Sequence, residues 1–277
     1  MNLFYTKLLN SFKLRKIVKV ISGLDNFNIN KIYQIVNATN ITPVSYIDLS
    51  ANTKILSLIK KITNLPLCVS SIDPLELYNC HVSGADIVEI GNFDAFYIKY
   101  INFTAFDILK LSIETRRLIP IKDICVTIPH LLTLYEQTRL AKKLEKLGVN
   151  FLQTEGLHWN FDNIYINLLY NYKYDMVSKS LYIAAPTLSS TYVLSRSVNL
   201  PIITSSKISH LSSSLAFSYG ASGIGIKSII YNKSTIYKMS FCLSEMLYTV
   251  NYFTKSSFSL KLIRSTNKMI VKKFRVN

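Results

Sequence analysis

Short β-branched runs recur along this chain, and each is followed by a longer segment of helical period. The runs are Ile17–Ser22, Val44–Leu49, Leu67–Ser70, Asp86–Ile90, Ile124–Ile128, Phe151–Thr154, Pro201–Thr204 and Gly223–Ile226. They read as near-continuous apolar stretches rather than strict alternation, the pattern of strands covered on both faces. Eight such strands at a spacing of mostly about 20–35 residues, each with its own helix, predict an α/β fold: a closed (β/α)8 TIM barrel in a single domain. An open doubly wound sheet is the alternative. Its usual GxGxxG turn after the first strand is missing, because the turn here reads Ser22-Gly23-Leu24-Asp25-Asn26-Phe27.

Between the strands, Thr104–Arg117 and Leu131–Leu147 carry helical patterns, the second with Leu and Ala on one stripe and Lys on the other. Gly148 is placed as its C-cap, and Ser50 and the Asp73-Pro74 pair are expected helix starts. The wider gap before the seventh strand holds an aromatic, Asn-rich insert, 156–176, and a helix is expected over Val177–Val198.

The chain carries 32 Lys and Arg against 16 Asp and Glu in 277 residues, a formal charge of +16. Ile, Lys, Asn and Tyr account for 99 of those residues, as an AT-rich genome would produce, so basic excess alone is weak support for a nucleic-acid partner. Position matters more than total. Residues 1–19 hold five basic side chains and 255–277 hold seven, with no acid in either, while 20–254 is near balance at +4. The domain organisation expected is a basic segment over 1–16, the barrel over 17–254 and a basic tail over 255–277. The tail alternates basic with apolar residues and can meet a nucleic acid or an anionic surface, or simply end in a solvated helix, the favoured reading. The amphipathic start, with Leu3, Phe4, Leu8 and Phe12 on one side, fits an organelle transit segment or a helix preceding the first strand.

No stretch of about 18 uninterrupted apolar residues occurs, which excludes a conventional spanning helix. The four Cys, at 68, 80, 125 and 242, lack CxxC spacing and are expected reduced and buried. The four His form no HxxxH or HExxH pair, so no metal site is expected. No cofactor fingerprint is present, and the cofactor is left unknown. Nothing requires flavin or pyridoxal phosphate.

Six segments together resemble a known family: KVISGLDNF (19–27), ADIVEIGNFDAFY (85–97), VTIPH (126–130), LQTEG (152–156), AAPTLSSTYVLSRSV (184–198) and GASGIGIKSII (220–230). The chain is similar over roughly 16–250 to the hypothetical chloroplast reading frame 23 family of algal plastids and cyanobacteria, whose activity is unassigned. The resemblance implies a barrel like those that bind phosphate, and a plastid location, in the stroma.

In such barrels the active site lies at the C-terminal mouth. Asp25, Asn26, Asp48, Ser70, Ser71, Glu89, Asn92, His130, Gln153 and Glu155 are the polar residues expected there, before the loops of the last two strands. Asp48 and Glu89 are acids inside apolar strands, where an unpaired carboxylate is costly. They are candidates for a general acid/base pair, and the alternative is a buried carboxylate paired with a Lys such as Lys19. His130 and Glu155 are the other catalytic candidates, each with a bland alternative as a loop-closing group. Trp159 and His158 sit in the insert, a candidate lid.

The last strand, Gly223-Ile224-Gly225-Ile226-Lys227-Ser228, resembles the phosphate-barrel pattern GVGVGSAI, with Lys227 where Gly is expected. After the seventh strand Ser206 stands where Gly is common, so side chains are expected to disfavour a purely backbone nest. Ser205, Lys207, Gly225, Lys227 and Ser228 are therefore candidates for an anion site of ammonium and hydroxyl groups, unless both Lys simply reach solvent. Three functions are compatible: an isomerase, lyase or aldolase of a small phosphorylated metabolite, a metabolite-binding or regulatory barrel without turnover, and a polyanion-associated protein using its basic ends. Oligomeric state is not readable.

Overall fold

A computed structural model describes residues 3–156, apart from 92 and 98, and residues 175–252. Asn92, the insert carrying His158 and Trp159, and the basic tail lie outside the described residues.

Eight parallel strands close in sequence order: β1 Ile17–Ile21, β2 Tyr46–Ser50, β3 Leu67–Ser71, β4 Ile87–Ile90, β5 Asp123–Ile128, β6 Phe151–Thr154, β7 Ile202–Thr204 and β8 Gly223–Ile226. The last pairs with the first, Lys19 opposite Gly225. The open-sheet alternative is thereby overturned. Outside the barrel lie α1 Leu9–Lys13, α2 Ile29–Ile41, α3 Thr53–Ile59, α4 Pro74–Val82, α5 Asp94–Tyr97, α6 Ala105–Leu118, α7 Leu134–Lys146, α8 Met176–Ser197, α9 Ser213–Ser218 and α10 Ser228–Tyr231, followed by a helix over 236–252.

Side chains alternate across each strand, and the outward set (Val18, Val20, Leu49, Val69, Val88, Val126, Leu152, Ile224) packs under the helices, whose apolar stripes cover it. The inward set forms tiers. Ile17, Tyr46, Cys68, Ile87, Cys125, Phe151 and Ile203 make the tier nearest the strand N-termini. Leu8 and Phe12, from the helical segment before β1, complete that tier from below, with the Phe12 and Phe151 rings 5.1 Å apart. Asp123 secures the same segment by accepting the Phe4 and Tyr5 amide N–H groups at 2.9 and 2.7 Å. The N-terminal segment is thus a plug on the barrel floor, with Leu8 and Phe12 inward as the helical reading expected and Phe4 exposed.

Helix starts follow local chemistry. Asp73 caps α4 with Pro74 at the first turn, and Thr133 and Glu136 form a reciprocal capping box that starts α7 at Leu134. Gly148 closes α7 with φ +83°. Ser50 does not start a helix: it ends β2, and Asn52 caps α3 by accepting the Lys54 and Ile55 N–H groups. β3 runs one residue past the expected strand, to Ser71, because the ladder with β4 continues to Ser71 opposite Ile90. Cys68, Cys80 and Cys125 are buried free thiols, while Cys242 is half-buried.

Candidate functional site at the barrel mouth

Above the apolar floor the barrel interior turns polar. Lys19 on β1 places its ammonium 2.5 Å from Glu89 Oε2, 3.0 Å from Asp48 Oδ2 and 2.8 Å from Gln153 Oε1. Glu89 Oε1 accepts from Thr127 Oγ1 at 3.0 Å and from Gln153 Nε2 at 2.9 Å, and Ser70 donates to Asp48 Oδ1 at 2.5 Å. Six strands thereby meet in one tier. Lys19 and Glu89 are fully buried, and Asp48 is 1% exposed. Burial alone would depress the Lys19 pKa, but Asp48 and Glu89 overcome it and hold the ammonium well above the ordinary lysine value. Burial pushes the Glu89 carboxyl up, opposed by Lys19. The carboxylates proposed from sequence as an acid/base pair are therefore brought together on Lys19, sealed one tier below the mouth. Gly91 permits the next turn: its φ is +149°, and a methyl there would fall 2.3 Å from Thr127 Cβ.

At the mouth, Glu155 and His130 come together from the loops after β6 and β5. Glu155 Oε2 accepts the Tyr97 hydroxyl at 2.8 Å and the His130 backbone N–H at 3.4 Å, and lies 3.2 Å from His130 Nδ1. The Tyr97 ring meets His130 edge-on, with centroids 4.7 Å apart at 89°. Tyr97 comes from α5 after β4, so three successive βα loops converge on one carboxylate oxygen.

The candidates after β7 and β8 line a common open cleft of about 780 Å³, including the solvent at its mouth. Its described lining includes Ser205, Lys207, Gly225, Lys227 and Ser228, along with Ile21 from β1, and contains no acid. Ser206 and Lys207 both adopt left-handed backbone, φ +73° and +58°. The expectation that a Cβ would keep this loop out of the glycine conformation is thus corrected. Such geometry costs roughly 1–3 kcal/mol per residue and persists only where surroundings over-determine it. Here they do. Thr187 on α8 donates to the Ser205 carbonyl at 2.6 Å, and Thr154 Oγ1 accepts the Ser205 N–H at 3.3 Å. Thr191 and Thr204 share a further hydroxyl contact at 2.7 Å.

Gly225 makes room for this loop, since a methyl there would sit 2.7 Å from Ser205 Oγ. Lys227 folds back over β1: a methyl at Gly23 would lie 3.2 Å from Lys227 Cε and equally far from Asp25 Oδ1. Among the described residues the half-buried Lys227 ammonium has no hydrogen-bond or ion-pair partner. A methyl at Gly156, directly after Glu155, would be 3.3 Å from Ser206 Oγ, so the Glu155 loop abuts the cleft. Among the described residues no group of three or more His, Cys, Asp or Glu is placed to hold a metal ion, and no helix is long and apolar enough to cross a membrane.

Sequence reasoning missed Tyr97, Thr127 and the Thr154–Thr187–Thr191–Thr204 set. For the helical pair the signal was two Thr at i, i+4 facing the strands, and for Thr127 a polar residue at an inward position. Tyr97 gave no signal, because one aromatic among 18 Tyr in a short helix stands out by nothing.

The fold and mouth define a (β/α)8 barrel protein with a polar interior and a basic cleft over its last two strands. The chain belongs to the family described as "Protein of unknown function (DUF561)", whose profile matches residues 3–256. Its relatives include the uncharacterized protein ycf23 of Antithamnion sp., 47% identical over 252 residues that cover 91% of this chain and 90% of the relative. Another is ycf23 of Cyanophora paradoxa, 38% identical over 249 residues covering 90% and 98%. The chain is thus of the algal plastid ycf23 type. Among solved structures it is similar in fold to QR15, an aldolase, with a TM-score of 0.57 at 14% identity, covering 85% of this chain and 96% of that one. It is similar likewise to a 3-hexulose-6-phosphate synthase, TM-score 0.55 at 11% identity, covering 84% and 99%.

Proposed function

We propose that this barrel acts in the plastid stroma on a small phosphorylated metabolite, with isomerase-, lyase- or aldolase-type chemistry. The phosphoryl group binds in the cleft above β7 and β8, on the Lys207 and Lys227 ammonium groups and the Ser205 and Ser228 hydroxyls. One observation carries the reading: a cleft whose described lining is basic and holds no acid, with two non-glycine residues held in left-handed conformation. Strain of this kind collects at ligand clamps. The barrel relatives by fold whose names include phosphorylated compounds support the substrate class.

His130 and Glu155 are the groups positioned to move a proton at the mouth. Glu89 and Asp48 act from beneath, keeping Lys19 charged under the substrate. That the Lys19 tier is sealed also supports a second reading, a barrel that binds its metabolite without turning it over.

A thermal-shift screen of phosphorylated metabolites and their unphosphorylated counterparts, at two salt concentrations, tests the proposal. A ligand at one hundred times its Kd stabilises by about 2.7 kcal/mol. Sugar phosphates should raise the midpoint, and Lys207→Ala/Lys227→Ala should abolish the rise. Equal shifts with unphosphorylated sugars, or shifts indifferent to the double substitution, would refute it. Stabilisation without product in any coupled assay selects the second reading.

A further inference from the structure

Two donors, the Tyr97 hydroxyl and the His130 backbone N–H, converge on Glu155 Oε2, and His130 Nδ1 lies 3.2 Å from the same oxygen. An ionised carboxylate can only accept, so Nδ1 carries the imidazole proton in this arrangement. The other ring nitrogen, Nε2, is then the lone-pair site, directed away from Glu155. The His130 and Glu155 side chains are only 6% and 4% exposed, so bulk water does little to compete for these bonds. Tyr97 contributes twice. Its hydroxyl fixes the carboxylate oxygen, and its ring edge meets the imidazole.

We infer that Tyr97 is a positioning residue for a mouth-side proton acceptor: it locks Glu155 onto His130 and so fixes the tautomer that leaves Nε2 basic. The inference rests on the reading that chemistry occurs at this mouth, and it adds the substrate class on which such a base acts. That class is a phosphorylated compound with a carbon-bound hydrogen next to a carbonyl. In the step, the C–H bond breaks and its proton goes to Nε2. The electron pair moves to the carbonyl oxygen, giving an enolate. The imidazolium that forms has both ring N–H groups, one still held by Glu155. Because Tyr97 stands on the loop after β4 while Glu155 and His130 follow β6 and β5, residues from three loops bear on one tautomer.

The test is a ¹⁵N-labelled-histidine spectrum of the full chain, in which long-range ¹H–¹⁵N correlations report the tautomer, with the His130 signals assigned by their loss in His130→Gln. Wild type should show the Nδ1–H pattern in nearly all molecules. Glu155→Ala removes the acceptor and sets the unlocked value. Tyr97→Phe, which keeps the edge-on ring, should move the Nδ1–H fraction toward that value, and Tyr97→Leu should move it no less. An unchanged tautomer in Tyr97→Phe, or an Nε2–H pattern in wild type, overturns the inference. Circular dichroism confirms that each variant is folded. Titration with inorganic phosphate separates this outcome from the functional reading: its affinity should stay within twofold in Tyr97→Phe. Loss of phosphate binding in wild type with the tautomer result intact would remove the functional reading and leave Tyr97's positioning role standing.

Discussion

Replacing Lys19 by Met removes a cation that two buried carboxylates share. Lys19 holds Glu89 at 2.5 Å and Asp48 at 3.0 Å, with Lys19 and Glu89 wholly out of solvent. Met fills most of the volume, so the cost is electrostatic rather than a cavity. Breaking a buried pair by removing one partner costs about 3–5 kcal/mol, a large part of the roughly 5–15 kcal/mol that keeps a domain folded. For a chain of this size that corresponds to a Tm lowered by about 10 °C. Glu89→Gln should be milder, about 1–2 kcal/mol, because Lys19 keeps Asp48 and one charge of each sign remains. The two substitutions should not add. Once Lys19 is gone, removing the Glu89 charge relieves repulsion with Asp48, so Lys19→Met/Glu89→Gln should fall short of the summed singles by at least about 1 kcal/mol. Urea unfolding followed by far-ultraviolet circular dichroism supplies the three free energies. A Lys19→Met cost below about 1 kcal/mol, or an additive cycle, would refute the view that this tier is a desolvated charge cluster.

The pH dependence of wild type follows from the same tier. Lys19 titrates well above its ordinary value of 10.5 in the folded chain, so its contribution is complete below 10.5 and is lost as pH rises through the elevated folded value. Unfolding free energy should therefore drop on the alkaline side, and Lys19→Met should lack that drop. Phe12→Ala opens the barrel floor where its ring meets Phe151 at 5.1 Å, and should cost about 3–5 kcal/mol in the same assay. Gly225→Ala forces a methyl to within 2.7 Å of Ser205 Oγ. It should weaken sugar-phosphate binding at least tenfold in calorimetric titration while far-ultraviolet spectra stay native. Retained affinity there would show that Ser205 is not part of the anion site.

Much of the architecture was legible because period and punctuation agree. Runs such as Leu67–Ser70 and Phe151–Thr154 fall on strands within a residue, since both faces of a barrel strand are covered and the apolar run ends where cover ends. Helix boundaries were legible where the capping residue is distinctive, the Asp73 side chain and the left-handed Gly148, and misread at Ser50, because a strand-end Ser and an N-cap Ser are the same residue in sequence. Asp48 and Glu89 stood out as acids in apolar runs, and Lys19 was the partner considered. What no local pattern contains is distance across the barrel: Lys19 and Glu89 are 70 positions apart, and their meeting is set by closure of the sheet. Ser206 shows the opposite error. The residue type argues against a left-handed turn, but hydroxyl contacts from Thr154 and Thr187 on neighbouring elements hold the adjoining Ser205 backbone. Tyr97 stayed invisible because its role rests on contacts with residues distant in sequence, the Glu155 carboxylate and the His130 ring.

The central claim is that the cleft over β7 and β8 receives a phosphoryl group, and a crystal structure grown with a sugar phosphate tests it most directly. The account predicts phosphoryl density within hydrogen-bond reach of the Ser205 and Ser228 hydroxyls and of Lys207 or Lys227, with the sugar extending toward His130. A phosphoryl group bound elsewhere, or a cleft that stays empty at saturating ligand, would contradict it.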